Sequence, residues 1–464
     1  MHANYLIKKL RIVVMMSCLF LLCSLKIFAG DSVNISDYGV TGDGETDITE
    51  KLEQVISDVA GDSTKNAIYF PEGTYIISGK VTLKKGVSLI GDAQGVSVIK
   101  CLDGIASIGN SNGGERNIND IEIKDLFFYN VNVQFYCWLL GHRKNIHIYR
   151  CVFYGGDDNV VLLSRASESS LRNCIFLRSS QFPGSGVMTW NAANIDVENN
   201  VFGLSFANLN WLTTQWKGAS TWTNLLGRLH IFQIQEALND NQGCFRRAIK
   251  IQKSRGLVTV RDNILNADRN YNGPRDHAMY IHNNYKKVVI VQNWMRGWVN
   301  NPSGGVKVRN NHGPTVIAVN RFKDISIIGY IHRIVGENGG GGYDNQEVYI
   351  DTLIYKNIFD FDYDNPCYGG VGMWDQASEK GGKGVESGNE YAENIMNTPN
   401  NTASFWFRSA DASGYKIYNT NFDGDGNLIT SSHQYIPVVS GDPDPQKIES
   451  YQNLEAPDLN IPLY

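Results

Sequence analysis

The sequence has few prolines, no close cysteine pairs and little net charge. Its 464 residues contain 12 prolines against 46 glycines, and the formal net charge is −5. This small negative charge excludes a protein that binds nucleic acid through its overall charge, so any basic site must be local. The absence of CxxC and Cys/His spacings excludes the common structural zinc centres.

Apolar runs long enough to cross a membrane are absent after residue 29. The first 29 residues have the pattern of a secretory signal peptide. Lys8, Lys9 and Arg11 precede an apolar stretch that is too short to cross a bilayer comfortably, and Ala29 offers a cleavage point. We therefore expect the mature protein, residues 30–464, to be exported and to be secreted, periplasmic or attached to the cell surface.

Six cysteines remain in the exported chain, and we expect buried thiols rather than disulfides. A chain of this length has a large core and does not depend on cross-links for stability. These cysteines are Cys101, Cys137, Cys151, Cys174, Cys244 and Cys367.

Short apolar strands recur along the chain, and each ends in an asparagine or a cysteine before an apolar pair. The recurring residues are Cys151, Cys174, Asn200, Asn263, Asn293, Asn320 and Asn357, with clean intervals of 23, 26, 30 and 27 residues. A period in the twenties, with many β-branched residues, predicts an all-β parallel solenoid whose coils stack ~4.8 Å apart. We expect the aligned asparagines to form an internal ladder of side-chain hydrogen bonds.

The two ends of the chain and one segment depart from the repeat. Residues 31–65 contain an apolar stripe at helical spacing, with Asp47 as the candidate N-cap, and predict an amphipathic helix that caps the solenoid. The coils are expected over about 66–425, followed by an irregular tail at 426–464. An insertion at 203–245 requires an extra coil or a long excursion. Its three tryptophans either stack on sugars or pack the insertion's own small core; they are Trp211, Trp216 and Trp222.

The opening motifs resemble those of a known superfamily. "DYG", "GDGETD", "FPEGTY" and "GVSLIGD" lie between residues 34 and 92, and the repeat continues to about residue 360. Together they resemble the pectate-lyase-like superfamily of right-handed parallel β-helix proteins. The resemblance implies a single-domain right-handed parallel β-helix that binds carbohydrate along a shallow groove on its outside.

Counting back from Asn263, Asn293 and Asn320 aligns three consecutive coils. Residues at the same distance before each asparagine form a column, with one residue from each coil. The columns thirteen and eleven positions before the asparagines are polar, and a further polar column lies sixteen positions before them. The columns between them are apolar, which places the polar columns on the outside. The polar side chains, coil by coil, are Arg247, Lys250 and Gln252; His277, Tyr280 and His282; and Lys307 and Arg309.

Two further expectations follow from the same counting. Ala248, Ala278 and Gly305, fifteen positions before the asparagines, would form a groove floor for a sugar. On earlier coils the equivalent outward positions hold no basic residue, so the basic cluster is local. Those positions are Val187, Thr189, Val161, Leu163, Trp138 and Leu140.

A local cationic patch with tyrosine and histidine suits β-elimination on a uronic-acid polysaccharide. The reaction needs a cation that neutralises the sugar carboxylate, a base that removes the C5 proton and an acid that protonates O4. We assign Arg309 as neutraliser, Lys307 or His277 as base and Tyr280 as acid, with Lys250 as a further catalytic candidate. The substrate-binding candidates are His282, Arg247, Gln252, Trp211, Trp216 and Trp222.

Two other functions remain open from sequence. "GGDDNVVL" at 155–162 and "RAIK" at 247–250 resemble elements of polygalacturonases, but an aspartate one coil before and a histidine one coil after are missing; Ser185 occupies the latter place. Asp157 and Asp158 either belong to a turn or bind Ca²⁺, the one cofactor left open. The third function is a non-catalytic glycan-binding protein. In each case we expect a monomer with an anionic polysaccharide as its partner.

Overall fold

The computed structural model describes residues 31–457, with gaps. The gaps are 94, 111–116, 137–142, 178–183, 205–244, 268–275, 299–304, 333–346, 362–369, 380–383, 398–403, 431–435 and 437. The predicted signal segment and the three tryptophans of the insertion lie outside the described residues. So do Cys137, Cys244 and Cys367.

Three long sheets run the length of the described chain, and every pair of neighbouring strands in them is parallel. Most coils contribute one strand to each sheet in turn. The strands of sheet A are Asp31–Asn34, Lys65–Phe70, Ser88–Gly91, Ile118–Lys124, Arg143–Tyr149, Ala166–Arg172, Ala193–Glu198, Val258–Arg261, Val288–Val291, Thr315–Ala318, Thr352–Tyr355, Asn389–Ala392, Tyr415–Tyr418 and Val438–Val439. The strands of sheet B are Asp43–Asp47, Gly73–Ile76, Ser97–Lys100, Leu126–Tyr129, Val152–Tyr154, Ile175–Leu177, Val201–Leu204, Ile264–Asn266, Trp294–Arg296, Arg321–Lys323, Ile358–Asp360, Ile395–Asn397 and Phe422–Asp423.

Sheet C carries the polar columns found in the sequence. Its strands are Lys80–Thr82, Ala106–Asn110, Val131–Phe135, Asn159–Ser164, Ser185–Trp190, Arg247–Gln252, His277–His282, Val306–Arg309, Ile327–Ile331, Val371–Asp375 and Phe405–Arg408. A separate two-stranded pair joins Val348–Ile350 and Val385–Ser387. The chain is thus an all-β, right-handed parallel β-helix, as predicted.

The core is a continuous apolar column inside the coil, and a ladder of asparagines runs beside it. Asn263 Oδ1 accepts from the backbone N–H of Asn200, and the same contact recurs from coil to coil. The members are fully buried, and they also bond to each other through their amides. The predicted ladder is confirmed, and it continues past Asn357 to Asn394 and Asn421. Cys101, Cys151 and Cys174 are buried free thiols, as predicted for these three.

Helices are few and short in the described residues. They are the α-helices Thr49–Gly61, Gln376–Glu379 and Pro445–Ile448 and the 3₁₀ helices Ile35–Tyr38 and Ala412–Gly414. None of these is long and apolar enough to cross a membrane.

The Thr49–Gly61 helix lies against the first coil. Its residues Leu52, Val55, Ile56 and Val59 are buried in the core. Glu53 Oε1 accepts from the backbone N–H of Thr82, on the edge strand of sheet C. Asp47 is not the N-cap: that position is Ile48, and Asp47 Oδ1 instead accepts from the backbone N–H of Thr49.

The coils on either side of the predicted insertion stack directly on each other. The strand Ser185–Trp190 pairs with Arg247–Gln252, and Ala193–Glu198 pairs with Val258–Arg261. No coil therefore lies between these paired strands, and residues 205–244 of the predicted insertion lie outside the described residues.

Candidate active site

Three neighbouring strands of sheet C bring the predicted polar side chains together. We call them the site strands: Arg247–Gln252, His277–His282 and Val306–Arg309. Their register pairs Lys250 with Tyr280 and Tyr280 with Lys307. It also pairs Gln252 with His282, His282 with Arg309, and Arg247 with His277. The alignment deduced from the asparagine repeat is therefore confirmed for these three coils.

Alternation along each site strand explains why these side chains point away from the core. Ile249, Ile251, Met279, Ile281, Val306 and Val308 are at most 1% exposed and belong to the core. The side chains between them therefore face out, where Lys250, Lys307 and Arg309 are partly exposed. The result is a cluster of cations and aromatic rings on the outer face of sheet C, which we call the sheet C cluster.

The predicted outward positions on earlier coils are wrong by one residue. Val187 and Thr189 pair with Ile249 and Ile251, and Val187 lies in the core. The outward partners of Lys250 and Gln252 are instead Met188 and Trp190. The chain between the outward sheet C residue and the ladder residue is one residue shorter in these coils than in the coils of the cluster. Counting thirteen positions back from the ladder residue therefore gives a position that is wrong by one.

The same shift applies one coil earlier. Val161 and Leu163 are fully buried in the core, and Leu162 pairs with Met188. Trp138 and Leu140 lie outside the described residues. Basic side chains are still absent from the corrected positions Leu162, Met188 and Trp190, so the cluster remains local.

The predicted floor of small residues is also wrong. Ala248 and Ala278 are 0% exposed and lie in the core. Met279, the next residue, lies in the core as well, which a regular strand does not allow. The backbone N–H groups of Asp276 and His277 both donate to the carbonyl of Arg246, so the chain bends at this point. The bend turns Ala278 inward.

Asp276 lies at the centre of the sheet C cluster. Its Oδ1 accepts from His277 Nε2 at 3.0 Å, and its Oδ2 forms an ion pair with Arg247. Arg246 Nε lies 3.6 Å from the same oxygen. Burial acts to raise the pKa of Asp276, but the bond from His277 and the charge of Arg247 together hold it well below its ordinary value. Asp276 is thus a fixed anion. Sequence reasoning gave it no role, because it precedes the aligned strand.

His277 is almost entirely buried, at 2% exposure. Its Nε2 is bonded to Asp276, and its ring stacks on that of Tyr280 at 5.3 Å. Burial lowers the pKa of His277 despite the neighbouring carboxylate, so the imidazole is neutral at neutral pH.

Tyr280 is surrounded by cations. Arg309 Nη1 donates to its hydroxyl at 3.1 Å, and the guanidinium of Arg247 lies 5.0 Å from its ring centroid. Lys250 and Lys307 occupy the adjacent rungs in its column. On its other side the ring stacks on His282 at 5.5 Å. The hydroxyl therefore lies in a strongly positive environment.

Lys307 has the most perturbed amine in the cluster. Burial, together with the charges of Arg309 and Arg247, lowers its pKa to about 8. Burial and the charge of Arg247 also lower the pKa of Lys250. At a pKa of about 8 the Lys307 amine is partly neutral near neutral pH and can accept a proton.

The next two strands of sheet C extend the outer face with residues that the alignment of the three coils did not include. Tyr330 pairs with Arg309, and Trp374 pairs with Tyr330. The Lys307 amine lies 4.1 Å from the Tyr330 ring centroid, and Tyr330 OH lies 3.3 Å from His332 Nδ1. A signal was available, because the tripeptide Tyr-Ile-His occurs at both 280–282 and 330–332.

The candidate calcium ligands lie apart from the site strands. Asp157 and Asp158 are exposed residues just before the strand Asn159–Ser164, which is two strands away from Arg247–Gln252. Asp157 Oδ1 accepts from Asn132 Nδ2 at 2.6 Å. Among the described residues, no three His, Cys, Asp or Glu side chains gather as a metal site would require.

Comparison with known proteins gives a family and partial relatives. A family model described as rhamnogalacturonase A/epimerase, pectate lyase-like, matches residues 32–313. Alginate lyase 7 of Azotobacter vinelandii is 34% identical over 104 residues, which are 20% of this chain and 12% of that protein. Mannuronan C5-epimerase AlgE2 of the same organism is 33% identical over 97 residues, 18% of this chain and 10% of that protein. The matches thus span about a tenth of the length of these relatives.

A solved structure shares the fold over most of the chain. The Streptococcus pneumoniae surface protein and adhesin PfbA superposes with a TM-score of 0.51 and 13% identity, covering 86% of this chain and 99% of that chain. At this identity the likeness concerns the fold alone.

Proposed function

The chain belongs to the rhamnogalacturonase A/epimerase, pectate lyase-like family, and from this premise we propose that it is a polysaccharide lyase that cleaves a uronic-acid polymer by β-elimination. The observation that carries the proposal is the position of the Tyr280 hydroxyl. It accepts a hydrogen bond from Arg309 and lies one rung from the Lys307 amine. A neutralising cation, an acid and a base thus occupy two adjacent rungs of one outer face.

Lys307 is the proposed base. Its pKa of about 8 leaves a useful neutral fraction at neutral pH, and its side chain is partly exposed on the outer face. His277 was the other candidate, but its burial and its bond to Asp276 suit a positioning role. Lys307 would remove the C5 proton of the sugar as electrons move toward the neutralised carboxylate.

Tyr280 is the proposed acid, and Arg309 the proposed neutraliser. A guanidinium can only donate hydrogen bonds, so the Tyr280 oxygen accepts from Arg309 and keeps its own proton for another acceptor. That acceptor would be O4 of the leaving sugar. Arg309, with its planar fork of donors, suits a sugar carboxylate, and Lys250 adds a second positive charge one rung away.

The substrate chain would lie along the solenoid axis. Trp190 and Gln252 precede His282 in one column of paired residues, and Tyr330 and Trp374 follow Arg309 in the same column. Aromatic rings therefore flank the cationic centre on both sides, which suits sugars bound before and after the cleaved bond.

We also propose that one β-helix domain occupies residues 30–464 and acts outside the cell. The parallel sheets support the first part, since they extend from Asp31–Asn34 to Val438–Val439. Terminal sequencing of the exported protein tests the second part, with Gly30 expected as the first residue.

A second candidate is C5 epimerisation, which the similarity to a mannuronan C5-epimerase favours. Both reactions begin with removal of the C5 proton and differ in where the next proton goes. In a lyase it goes to O4 and the chain breaks, whereas in an epimerase it returns to C5 from the opposite face.

Four measurements on the same incubation separate these functions. Incubation with mannuronan, glucuronan and polygalacturonate should produce the ultraviolet absorbance of an unsaturated uronate. Incorporation of solvent deuterium at C5 without that absorbance would identify an epimerase. New reducing ends without either signal would identify a hydrolase, and binding without any reaction would identify a glycan-binding protein.

A further inference from the structure

Sheet A carries a second constellation of polar side chains on its outer face. His147 and Ser170 are directly paired across neighbouring strands. His147 Nδ1 lies 2.8 Å from Ser170 Oγ, and His147 Nε2 lies 2.7 Å from Asn145 Oδ1. Asn145 Nδ2 in turn donates to Asp120 Oδ1 at 2.9 Å. Four side chains thus form one continuous hydrogen-bonded relay.

Asp120 determines which group donates and which accepts in each hydrogen bond of this relay. An ionised carboxylate only accepts, so Asn145 turns its NH₂ group to Asp120 and its carbonyl oxygen to His147. That oxygen only accepts, so His147 carries its proton on Nε2. The unprotonated Nδ1 therefore accepts from the Ser170 hydroxyl, which is the arrangement of a serine next to its general base.

Charge and burial favour the neutral imidazole that such a base requires. Burial lowers the pKa of His147, and the nearby Arg172 cation lowers it further, against smaller opposing effects of Glu122 and Asp196. The imidazole is therefore neutral at neutral pH and free to take the serine proton.

A cavity of about 430 Å³ opens beside this pair. Its lining includes His147, Ser169, Ser170, Arg172, Asp196 and Leu257. Arg172 follows Ser170 by two residues on the same strand, so both side chains lie on the same side of the sheet. Its Nη2 and Nε contact Asp196 and Glu198, and its guanidinium lines the cavity, where it would meet a developing negative charge.

We propose that Ser170 and His147 form a second catalytic site that hydrolyses short-chain acyl esters, with O-acylated sugars as the substrate class. Ser170 Oγ bonds to the acyl carbon while its proton passes to His147 Nδ1. The bond from the acyl carbon to the sugar oxygen then breaks, and that oxygen takes the proton from His147. Water attacks the acyl-serine with His147 again as base, releases the carboxylic acid and restores the Ser170 hydroxyl. Asn145 and Asp120 are positioning residues that fix the imidazole tautomer.

A serine-directed fluorophosphonate probe tests the site on the intact protein. Mass spectrometry of the labelled wild-type protein should place the adduct on Ser170, a result that depends on no variant. Hydrolysis of p-nitrophenyl acetate should fall by about 100-fold or more in Ser170→Ala and His147→Ala. Ser167→Ala is the matched control, because Ser167 lies on the same strand and its hydroxyl bonds to the carbonyl of Arg143 rather than to an imidazole.

Two further variants make the outcome decisive. Asn145→Ala should shift the pH dependence of ester hydrolysis, because the Nε2 proton of His147 loses its acceptor. Lys307→Gln should leave ester hydrolysis intact, so failure of the sheet C proposal is distinguishable from failure of this one. No adduct on Ser170, or equal hydrolysis by wild type and Ser170→Ala, would overturn the inference and leave the relay as a structural cross-strand contact.

Discussion

Arg309 donates a hydrogen bond from Nη1 to the hydroxyl of Tyr280, across 3.1 Å between adjacent rungs of sheet C. Because this bond leaves the phenolic proton available, replacing Tyr280 with Phe should lower kcat by roughly 10²–10⁴-fold while KM changes little. Steady-state kinetics by ultraviolet absorbance measures both constants. Tyr285→Phe, on the same coil but outside the cluster, is the control. Equal kcat in Tyr280→Phe and wild type would remove Tyr280 from the mechanism.

The pKa of Lys307 predicts the pH dependence of the proposed lyase reaction. A base must be unprotonated, and burial with two neighbouring guanidinium groups gives this amine a pKa of about 8. Activity should therefore rise with pH through about 8. Lys307→Gln should abolish this rise along with most of the activity, whereas Lys287→Gln, at an exposed lysine, should keep both. A rate that is constant from pH 6 to 9 would contradict the assignment.

Asp276 should tune this pH dependence. Its negative charge raises the pKa of Lys307, in opposition to burial and the guanidinium groups. In Asp276→Asn the pKa of Lys307 should fall further, so the rising part of the pH profile moves to lower pH. The maximal rate should also fall, because Arg247 and His277 lose their common partner. Asp262→Asn, at an exposed aspartate, should leave the profile in place, and an unmoved profile in Asp276→Asn would argue for a purely structural carboxylate.

The proposed acid and base lie on the same face, and this arrangement predicts which polysaccharides are cleaved. Tyr280 and Lys307 are neighbours in one outward column, so the proton is removed and delivered from the same side of the bound sugar. Mannuronate and glucuronate have the C5 proton and O4 on the same side. Galacturonate and guluronate have them on opposite sides. Mannuronan and glucuronan should therefore be cleaved faster than polygalacturonate and polyguluronate at equal concentration, and the reverse order would refute the assignment of this acid–base pair.

The asparagine ladder predicts a large loss of stability. Asn293 is fully buried; its amide donates to Val260 O and Val291 O, and its oxygen accepts from Asn263. Asn293→Ala leaves several buried polar groups without partners and should cost about 3 kcal/mol or more of unfolding free energy. Urea denaturation measures the change. Asn419→Ala, at an exposed asparagine beside the ladder coils, should cost far less, and similar losses in the two variants would show that the ladder adds no special stability.

Sequence was sufficient where the repeat was regular. Gln252, His282 and Arg309 all lie eleven residues before a ladder asparagine, so counting placed them in one column as the structure does. Counting failed for Trp190, which lies ten residues before Asn200, and for Tyr330, which lies 27 residues before Asn357. The spacing between a strand and its ladder residue depends on the turn that joins them, and the pattern of apolar residues does not encode the length of that turn.

Sequence reasoning also could not find the bend before the strand His277–His282. Alternation predicts that Ala278 faces outward, but two backbone N–H groups share one carbonyl at this point, and Ala278 turns into the core. The same bend sets Asp276 beside Arg247. A local departure from strand geometry therefore created the charge arrangement that the regular pattern did not show.

The strand Ser185–Trp190 stacks directly on Arg247–Gln252. The length of sequence between these two rungs can therefore vary independently of their register. Forty residues of sequence, 205–244, separate parts of two rungs that nevertheless pair residue by residue. The entropic cost of fixing the two ends of a flexible chain segment grows only with the logarithm of its length. A change in the length of sequence between these two rungs therefore costs folding little, and selection can vary that length while the proposed reacting groups on the neighbouring rungs stay in register.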